Sequence, residues 1–472
     1  MVKVISGQDL INAGLTPGKW FSRALADANA LLEKGASFEQ ALETARSYAP
    51  PPVINRHAEG TVPFHMNIDV ESPEESENVE GVRTTMTELM RTPVIRAGAV
   101  MPDACPTGGK GTIPVGGVAA SEGIHPGMHS ADVCCSMALT VFPDTAPSSL
   151  MDAVAAVTHF GPGGRPRGQQ FRPSAEVMAR FDANPMLRFH SSAAIEYFGT
   201  QGDGNHFAYV GTMKSSGETV LVTHHGSRAP GARLYKTGMK LAEEHRKVLS
   251  PDTLPCNAWI PGDSEDGDTY WDALQAVRAW TKESHFLIHD LAAQKLGAKV
   301  SDRFWNEHNF VFRKSDGLFY HAKGATPAFD GWADDATDLT IIPLNMAQPI
   351  LIVRGRNAPN GLGFSPHGAG RNLSRSQHKR NQEGRSVADI LAEEAAGIDL
   401  RFYSNVPDIS ELPSAYKKAD SVRAQITRYG LADLVDEVLP YGCIMAGDWE
   451  STAPWRLKKK EKEKLKAAES AT

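Results

Sequence analysis

The segment FSPHGAGRNLSR places His367 beside Gly368 and Gly370 and follows it with Arg371 and Arg375. Glycine has no Cβ and tolerates positive φ, so a ligand can approach the backbone closely here. Planar guanidinium groups are suited to binding phosphate oxygens. A histidine with open space around it and guanidinium groups nearby therefore indicates chemistry on a phosphorylated substrate. The alternative for this segment alone is a glycine-rich turn in which the histidine is incidental.

Four other segments, HSADVCC, GDGNHF, VTHHGSR and NEHNF, each set a metal-binding side chain among small or turn-forming residues. With the histidine of the first segment they supply one carboxylate, one thiolate and four imidazoles: Asp132, Cys135, His206, His224, His308 and His367. This set exceeds what one zinc ion needs and suits two adjacent divalent ions that share a bridging ligand; ligand type alone favours zinc. Taken singly, each residue also has an ordinary explanation, such as a buried cysteine beside a helix cap.

The other histidines have weaker settings. At His224–His225, strand alternation sends the two rings to opposite faces, so at most one of them enters any given site. His225 and His321 are ambiguous. Ordinary surface or core positions are predicted for the following histidines: His57, His159, His245 and His289.

Cationic side chains in similar glycine-containing segments form a second set, suited to phosphate: Arg228, Lys323, Arg371 and Arg375. No segment matches a P-loop, and no GxGxxG motif follows a strand. The usual nucleotide-binding folds therefore find no support in the sequence.

Composition limits the class of protein. The chain has 472 residues, with 49 basic and 56 acidic side chains and a net charge of −7, which does not indicate a general nucleic-acid binder. Five cysteines without paired CxxC motifs argue against a disulfide scaffold and a zinc ribbon. No apolar run approaches a membrane span, and the N-terminal segment lacks the features of a secretory signal. We expect a cytoplasmic protein without membrane association.

The pattern of elements indicates a mixed α+β architecture. Residues 20–48 are predicted to be helical, with a break at Gly35 and a capping box from Ser37. From about residue 86, short β-like runs alternate irregularly with helical segments, and 414–439 is predicted to add two helices. We therefore expect mixed sheets packed with helices around a central metal-containing cleft. The expected organisation is an N-terminal helical extension over 1–85, a catalytic domain over 86–447 and a charged tail over 448–472.

The motifs together resemble those of the RtcB family of RNA ligases. DVCC resembles the family's D-x-x-C metal motif, GTQGDGNHF its G-x-G-N-H-F, and THHGSR its H-S-G-S-R. NEHNF resembles its H-N motif, HAKGAT its R-K-G-A, and HGAGRNLSR its H-G-A-G-R-x-x-S-R. MPDACPTGGKGTIPVGGVAA and LPSAYKK are similar to two further family segments. The resemblance runs in order from about 86 to 447.

The resemblance implies an enzyme that uses GTP and two Mn²⁺ ions, with Zn²⁺ as a substitute metal. It would join RNA ends bearing a 3′-phosphate or 2′,3′-cyclic phosphate to 5′-hydroxyl ends, in RNA repair or tRNA splicing. His367 would be the catalytic nucleophile that becomes histidine-GMP, which divides a difficult step into two. The implied metal ligands are Asp132, Cys135, His206, His224 and His308. The implied nucleotide contacts are Asn205, Asn345, His367, Gly368, Ala369, Gly370 and Tyr416, and the implied RNA or phosphate contacts are Arg228, Lys323, Arg371 and Arg375.

The sequence departs from the family pattern at three positions near the expected guanine. Tyr209 stands where the family commonly has a glutamate, Leu344-Asn345 replaces a glycine-serine pair, and Ala446 replaces a lysine. Losing a buried charged contact weakens ligand binding by about 2–5 kcal/mol when nothing replaces it. The alternatives are a related metalloenzyme that uses another nucleotide, one that only hydrolyses cyclic phosphate ends, and a non-catalytic protein that binds RNA ends. The sequence identifies neither the natural RNA nor an accessory protein.

Overall fold

The structure, a computed structural model, describes residues 4–107, 109 and 111–449. The chain divides into two compact units. One comprises the chain up to Asn55 together with Arg246–Asp252, and the other comprises Arg56–His245 and the chain from Thr253 onwards. The predicted charged tail over 448–472 lies almost wholly outside the described residues. The predicted domain boundaries therefore stay a prediction.

The helices, numbered along the chain, are α1 (Gly7–Asn12), α2 (Phe21–Glu33), α3 (Phe38–Arg46), α4 (Pro73–Leu89), α5 (Pro126–His129), α6 (Pro147–Val157), α7 (Ala175–Ala183), α8 (Ser191–Glu196), α9 (Arg228–Leu249), α10 (Glu265–Leu296), α11 (Arg375–Asn381), α12 (Val387–Glu394) and α13 (Ala419–Arg428). Within the described residues, no helix combines the length and apolar character needed to cross a bilayer.

The strands are β1 (Phe64–Met66), β2 (Ile95–Cys105), β3 (Val115–Ser121), β4 (Gly123–Ile124), β5 (Ser136–Phe142), β6 (Phe207–Met213), β7 (Thr219–His225), β8 (Ile260–Pro261), β9 (Asp302–Glu307), β10 (Asn309–Arg313), β11 (Phe319–Lys323), β12 (Ala325–Pro327), β13 (Leu339–Ile342), β14 (Ile350–Gly355), β15 (Phe364–Pro366), β16 (Asp399–Phe402) and β17 (Ala432–Met445).

The first unit is built on a hairpin of α2 and α3. Gly35 has a φ of +89° in the turn between them, and Ser37 with Gln40 forms the capping box that starts α3. Alanines from both helices are fully buried, so the two helices pack closely. The predicted break and capping box are confirmed.

The second unit contains an eight-stranded sheet and a five-stranded sheet, with helices packed on them. The larger sheet has the order β13-β14-β17-β6-β7-β5-β9, with β16 added beside β17. The smaller sheet has the order β1-β2-β3-β11-β10. Strands do not alternate regularly with helices, and antiparallel pairs predominate. The α+β prediction is confirmed.

The prediction of two helices within 414–439 is wrong for the second of them. Helix α13 ends at Arg428, and Gly430 then takes a φ of +65°, which a helix does not accommodate. The following residues form β17, which pairs with β14 on one side and β6 on the other. Pairing with β14 over 432–438 therefore outweighs the helical appearance of LADLVDEVL.

Candidate metal and nucleotide site

Four predicted metal ligands lie at one edge of the eight-stranded sheet. Cys135 directly precedes β5 and His206 directly precedes β6, whereas His224 lies near the end of β7 and His308 directly follows β9. These strands stand in the order β6, β7, β5, β9, and each neighbouring pair is antiparallel. Starts and ends of antiparallel neighbours meet at the same edge, so side chains far apart in the sequence come together there.

Two overlapping groups of ligand atoms form at this edge. One consists of Asp132, Cys135 and His206, and the other of Cys135, His224 and His308; within each group the atoms lie within 4.8 Å of one another. Cys135 Sγ is 3.1 Å from His224 Nε2 and 3.6 Å from His206 Nε2. One sulfur is therefore common to both groups, as a pair of cations with a bridging ligand requires.

Hydrogen bonds behind two of the rings fix which nitrogen faces the cluster. His206 Nδ1 is 2.6 Å from Gln201 O, and His224 Nδ1 is 3.1 Å from Asn205 O. A carbonyl oxygen only accepts, so Nδ1 carries the proton in both rings and Nε2 turns its lone pair to the cluster. His308 Nε2 lies 3.2 Å from His224 Nε2. The rings are thus oriented as metal ligands.

Burial keeps the rings of His224 and His308 neutral. Desolvation lowers the pKa of His224 to about 3 and that of His308 well below its usual value. Burial and then the charge of Asp132 raise the pKa of the Cys135 thiol well above its usual value. Neutral imidazole is the form that binds a metal, and a bound cation displaces the thiol proton. The donor set therefore fits borderline-soft divalent cations.

Asp132 reaches the cluster from a turn with unusual backbone angles. Ser130 and Cys134 on either side of it have φ values of +61° and +57°. A Cβ on Gly226 would lie 2.1 Å from Asp132 Oδ1, so the carboxylate fits only against a glycine. Burial acts to raise the pKa of Asp132, but the hydrogen bond and charge of His206 outweigh it and hold that pKa below its usual range.

His367 follows β15 and lies beside the cluster. Its ring centroid is 5.0 Å from that of His308. Its Nδ1 lies 2.6 Å from Asp103 Oδ2, which also accepts the backbone N–H of His367 at 3.1 Å and of Gly368 at 3.3 Å. Because the carboxylate holds the Nδ1 proton, Nε2 presents the lone pair, which suits a nucleophile.

Asp103 is a residue whose role the sequence reasoning missed. It is fully buried on β2, and the MPD motif was its only signal in the sequence. Gly370, with a φ of +71°, lies against its backbone: a Cβ there would be 1.9 Å from Asp103 O. Gly370 thus permits close packing of the loop on β2 as well as a close approach by a ligand to the backbone.

A cavity of about 360 Å³ opens beside His367 and the cluster. Every predicted nucleotide contact lines it: Asn205, Asn345, His367, Gly368, Ala369, Gly370 and Tyr416. Three predicted phosphate contacts also line it: Lys323, Arg371 and Arg375. Arg228 does not; its guanidinium donates to Gly161 O at 2.9 Å and lies 3.4 Å from Thr200 Oγ1.

Residues 168–446 match the family model described as "tRNA-splicing ligase RtcB". The chain belongs to the RtcB family. The match covers most of the site, from before His206 to beyond His367, and it confirms the resemblance seen in the motifs.

Proteins named tRNA-splicing ligase RtcB from three archaea illustrate the relationship. The Aeropyrum pernix protein is 29% identical over 303 residues, which are 55% of this chain and 62% of that protein. The Archaeoglobus fulgidus protein is 28% identical over 52% of this chain and 58% of its own length. The Methanocaldococcus jannaschii protein is 27% identical over 52% of this chain and 29% of its own length. The matched part thus spans less than two thirds of each of these relatives.

In this RtcB-family chain, a buried carboxylate organises the cationic wall of the cavity. Glu411 is 1% exposed and accepts from Arg371 Nη1 at 3.3 Å, Arg375 Nε at 2.5 Å and Tyr416 Oη at 2.5 Å. The guanidinium of Arg371 also lies 5.1 Å from the centre of the Tyr416 ring. Sequence reasoning missed Glu411, which orients both arginines along the cavity.

The wall formed by the ends of β6, β14 and β17 is apolar, in contrast to the cationic wall. Its residues belong to one hydrophobic cluster: Phe207, Tyr209, Met346, Ile350, Cys443 and Met445. Tyr209 is buried, and its hydroxyl donates towards Gln348 O at 3.2 Å and Val438 O at 3.3 Å. Asn345 Oδ1 accepts the N–H of Ala347 at 3.0 Å. Ala446 is fully buried and is absent from the described cavity lining.

The histidines left ambiguous by the sequence lie outside the site. His225 stacks on His285 with ring centroids 3.5 Å apart, on the face of β7 opposite to His224. His321 Nε2 accepts the backbone N–H of His125 at 2.9 Å in a separate buried group. The prediction that only one of the paired histidines enters the site is confirmed.

Proposed function

We propose that this RtcB-family protein is an RNA ligase that works through a nucleotide bound covalently to His367. The observation that carries the proposal is the position of the His367 ring, held by Asp103 on one side and 5.0 Å from the ring of His308 on the other. A nucleophile whose proton is fixed, beside a cation site and an arginine-lined cavity, suits nucleotidyl transfer.

The cations proposed are two Mn²⁺ ions, with Zn²⁺ as a substitute, held by Asp132, Cys135, His206, His224 and His308. The overlapping pair of ligand groups supports two ions rather than one. Bound there, the metals would neutralise phosphate charge and lower the pKa of a hydroxyl group.

The proposed first step forms a bond between His367 Nε2 and the α-phosphorus of GTP and releases pyrophosphate. The Asp103 carboxylate holds the Nδ1 proton, so the ring carries its positive charge next to a fixed negative group. Arg371, Arg375 and Lys323 line the same cavity and are proposed to bind the phosphate oxygens. GMP then passes to the 3′-phosphate of an RNA end, and the ring is restored.

In the last step the 5′-hydroxyl of a second RNA end attacks the activated phosphate, its proton leaves, and GMP departs. Ends bearing a 2′,3′-cyclic phosphate would first be opened by water. The names of the relatives favour tRNA splicing as the setting, and RNA repair uses the same ends. We place the protein in the cytoplasm and propose no accessory protein.

The test is incubation with α-labelled GTP and Mn²⁺. We expect an acid-labile label on the chain, and its complete loss in His367→Ala because the attacking nitrogen is gone. His245→Ala is the matched control, since that ring is partly exposed and its partner is Asp266, away from the cavity. A chain that takes up no label at any manganese concentration contradicts the proposal.

A second candidate keeps the chemistry and changes the nucleotide. The apolar wall supports it, because within the described cavity lining the acidic side chains are Asp132, in the metal cluster, and Glu411, which is bound by two arginines. Among the described residues that line the cavity, a guanine base therefore meets no free carboxylate for its N–H groups. Parallel labelling with all four α-labelled triphosphates decides this; exclusive use of GTP removes the second candidate, and equal use of ATP supports it.

A further inference from the structure

Arg228 carries a partly buried guanidinium group that is absent from the described cavity lining. The residue begins α9 and has a φ of +52°, a value that residues other than glycine rarely adopt. Burial lowers the pKa of the guanidinium, and the charges of Asp203 and Asp132 offset this only in part. Its hydrogen bonds go to neutral groups, so its charge has no ion-pair partner among the described residues. Unusual backbone angles of this kind cluster at functional sites, where they set the position of a side chain.

The guanidinium of Arg228 joins two loops through three contacts. Its Nη2 donates to Gly161 O at 2.9 Å, and its Nε lies 3.4 Å from Thr200 Oγ1. A Cβ on Gly202 would lie 1.8 Å from Nη1, so the group rests on bare backbone there. Gly161 N–H in turn donates to Gly202 O at 2.7 Å. These contacts, named here the Arg228 clamp, hold the residues on both sides of Gln201.

The residue between the clamped positions fixes a predicted metal ligand. Gln201 is fully buried, and its carbonyl oxygen lies 2.6 Å from His206 Nδ1. That hydrogen bond keeps the proton on Nδ1 and turns Nε2 towards Asp132 Oδ2 and Cys135 Sγ, each 3.6 Å away. A shift of either neighbour of Gln201 would move its carbonyl group, and the direction of the His206 lone pair would change with it.

The second ligand group depends less on this loop. Cys135, His224 and His308 are placed by the ends of β5, β7 and β9, which are hydrogen-bonded side by side in the larger sheet. His224 Nδ1 does bond to the loop, but through Asn205 O, three residues beyond Gly202. Loss of the clamp should therefore disturb the group that contains the loop histidine more than it disturbs the other group.

We infer that Arg228 is a positioning residue for the cation held by Asp132, Cys135 and His206. It acts through the Gln201 carbonyl, and it needs the planar fork of a guanidinium because one group must contact two loops at once. A role in binding phosphate, which the sequence indicated, would instead be kept in large part by a lysine, which binds phosphate as a point charge. The inference rests on the proposed function for the presence of two bound cations, and it requires neither nucleotide nor RNA.

The experiment is isothermal titration of the full metal-free chain with Mn²⁺, without nucleotide. We expect Arg228→Ala and Arg228→Lys each to weaken the binding of one of the two cations by about 10- to 100-fold, the usual effect of losing a group that orients a metal ligand. The affinity for the other cation should stay close to that of the parent. Urea unfolding of the metal-free variants checks that they are folded. Arg233→Ala is the matched control: this arginine is exposed on the same helix, and its variant should bind both cations as the parent does.

A double-mutant cycle identifies the affected cation. His206→Ala should remove the same cation, so adding Arg228→Lys to it should cause no further loss of affinity. In His308→Ala, which damages the other group, Arg228→Lys should keep its full effect. Unchanged affinity for both cations in Arg228→Lys, or an equal loss in the parent and in His206→Ala, overturns the inference.

Nucleotide labelling of His367 is scored separately, so that the two proposals can fail independently. If the parent binds two cations with this coupling but takes up no label, the proposed ligase chemistry fails and the positioning role stands. If the parent is labelled but Arg228 shows no coupling to His206, the positioning role fails and the ligase chemistry stands.

Discussion

Two sets of histidines occupy opposite faces of one stretch of sheet, and their partners differ in kind. On one face the rings of the open set, His206, His224 and His308, meet each other and the Cys135 sulfur. On the other face the closed set, His285 and His289, meets hydroxyl groups.

Hydroxyl groups make the closed set complete. His285 lies 3.0 Å from Ser136 Oγ and 2.7 Å from Thr223 Oγ1, and His289 lies 2.8 Å from Thr223 Oγ1 and 2.7 Å from Thr140 Oγ1. A hydroxyl both donates and accepts, so either ring tautomer finds a partner. Among the residues that the structure describes, the open set has no hydroxyl partner on its inner side, where nitrogen faces nitrogen and sulfur. Both sets consist of histidines, so the residue type does not distinguish them. The atoms that face the rings do, and only those of the open set suit a bound cation.

Removing the Cys135 sulfur, which both ligand groups share, should have the largest of the predicted effects. We expect Cys135→Ala to lose both metal equivalents and with them nucleotide labelling by at least about a thousandfold, because both ligand groups lose a member. Metal content after dialysis against Mn²⁺, measured by mass spectrometry, checks this. Cys134→Ala is the control: this cysteine is equally buried but belongs to the hydrophobic core, so its variant should keep both ions.

Replacing one histidine in each set should show that the open set is needed for metal binding and the closed set for stability. His224→Gln should weaken metal binding by about 10- to 100-fold or more and leave the metal-free chain folded. His285→Gln should keep metal stoichiometry and lower the free energy of unfolding by about 1–3 kcal/mol, because it removes the hydrogen bonds between the buried His285 ring and the Ser136 and Thr223 hydroxyls. Urea unfolding without metal and isothermal titration with Mn²⁺ give the two quantities; equal loss of metal binding in both variants would break the contrast.

Lowering the pH should reduce the stability of the protein through the closed set, and this is the smallest of the predicted effects. Burial lowers the pKa of His289 to about 3, from 6.5 in the unfolded chain. The unfolded state therefore binds the extra proton as pH falls below 6.5, and stability present above that pH is lost towards pH 3, by about 1.4 kcal/mol per pH unit for this ring. Urea unfolding of metal-free protein between pH 7 and 5 measures the slope, which His289→Gln should reduce by one proton. An unchanged slope would mean that His289 is not buried neutral.

The sequence was informative where function uses unusual residue types. Cysteine, histidine and glycine in turn-like segments marked Cys135, His206 and His367, and strand alternation separated His224 from its neighbour. These signals are local, and the register of β5, β6, β7 and β9 then brings them together.

The missed residues are ordinary carboxylates that act over long sequence distances. Asp103 and His367 are 264 positions apart, and Glu411 meets two arginines from a different segment. Acidic side chains are common on any surface, so nothing local distinguishes a buried one that orients a cationic or nucleophilic group. The misread strand β17 failed for a related reason, since its sequence reads as helical until its pairing partners are known.

The adjacency of His224 and His225 has a further consequence for how the sheet assembles. If β7 slipped by one residue against β5, a histidine would still point into the cleft, because the two rings would only exchange faces. In the mispaired sheet, however, the Thr223 side chain would point to the other face. Its hydrogen bonds to His285 and His289, which form only in the native register, would be lost. The hydroxyl-bound rings on the far face thus favour the native register of β7 against β5. The geometry of the candidate cation site therefore depends on side chains that do not belong to it.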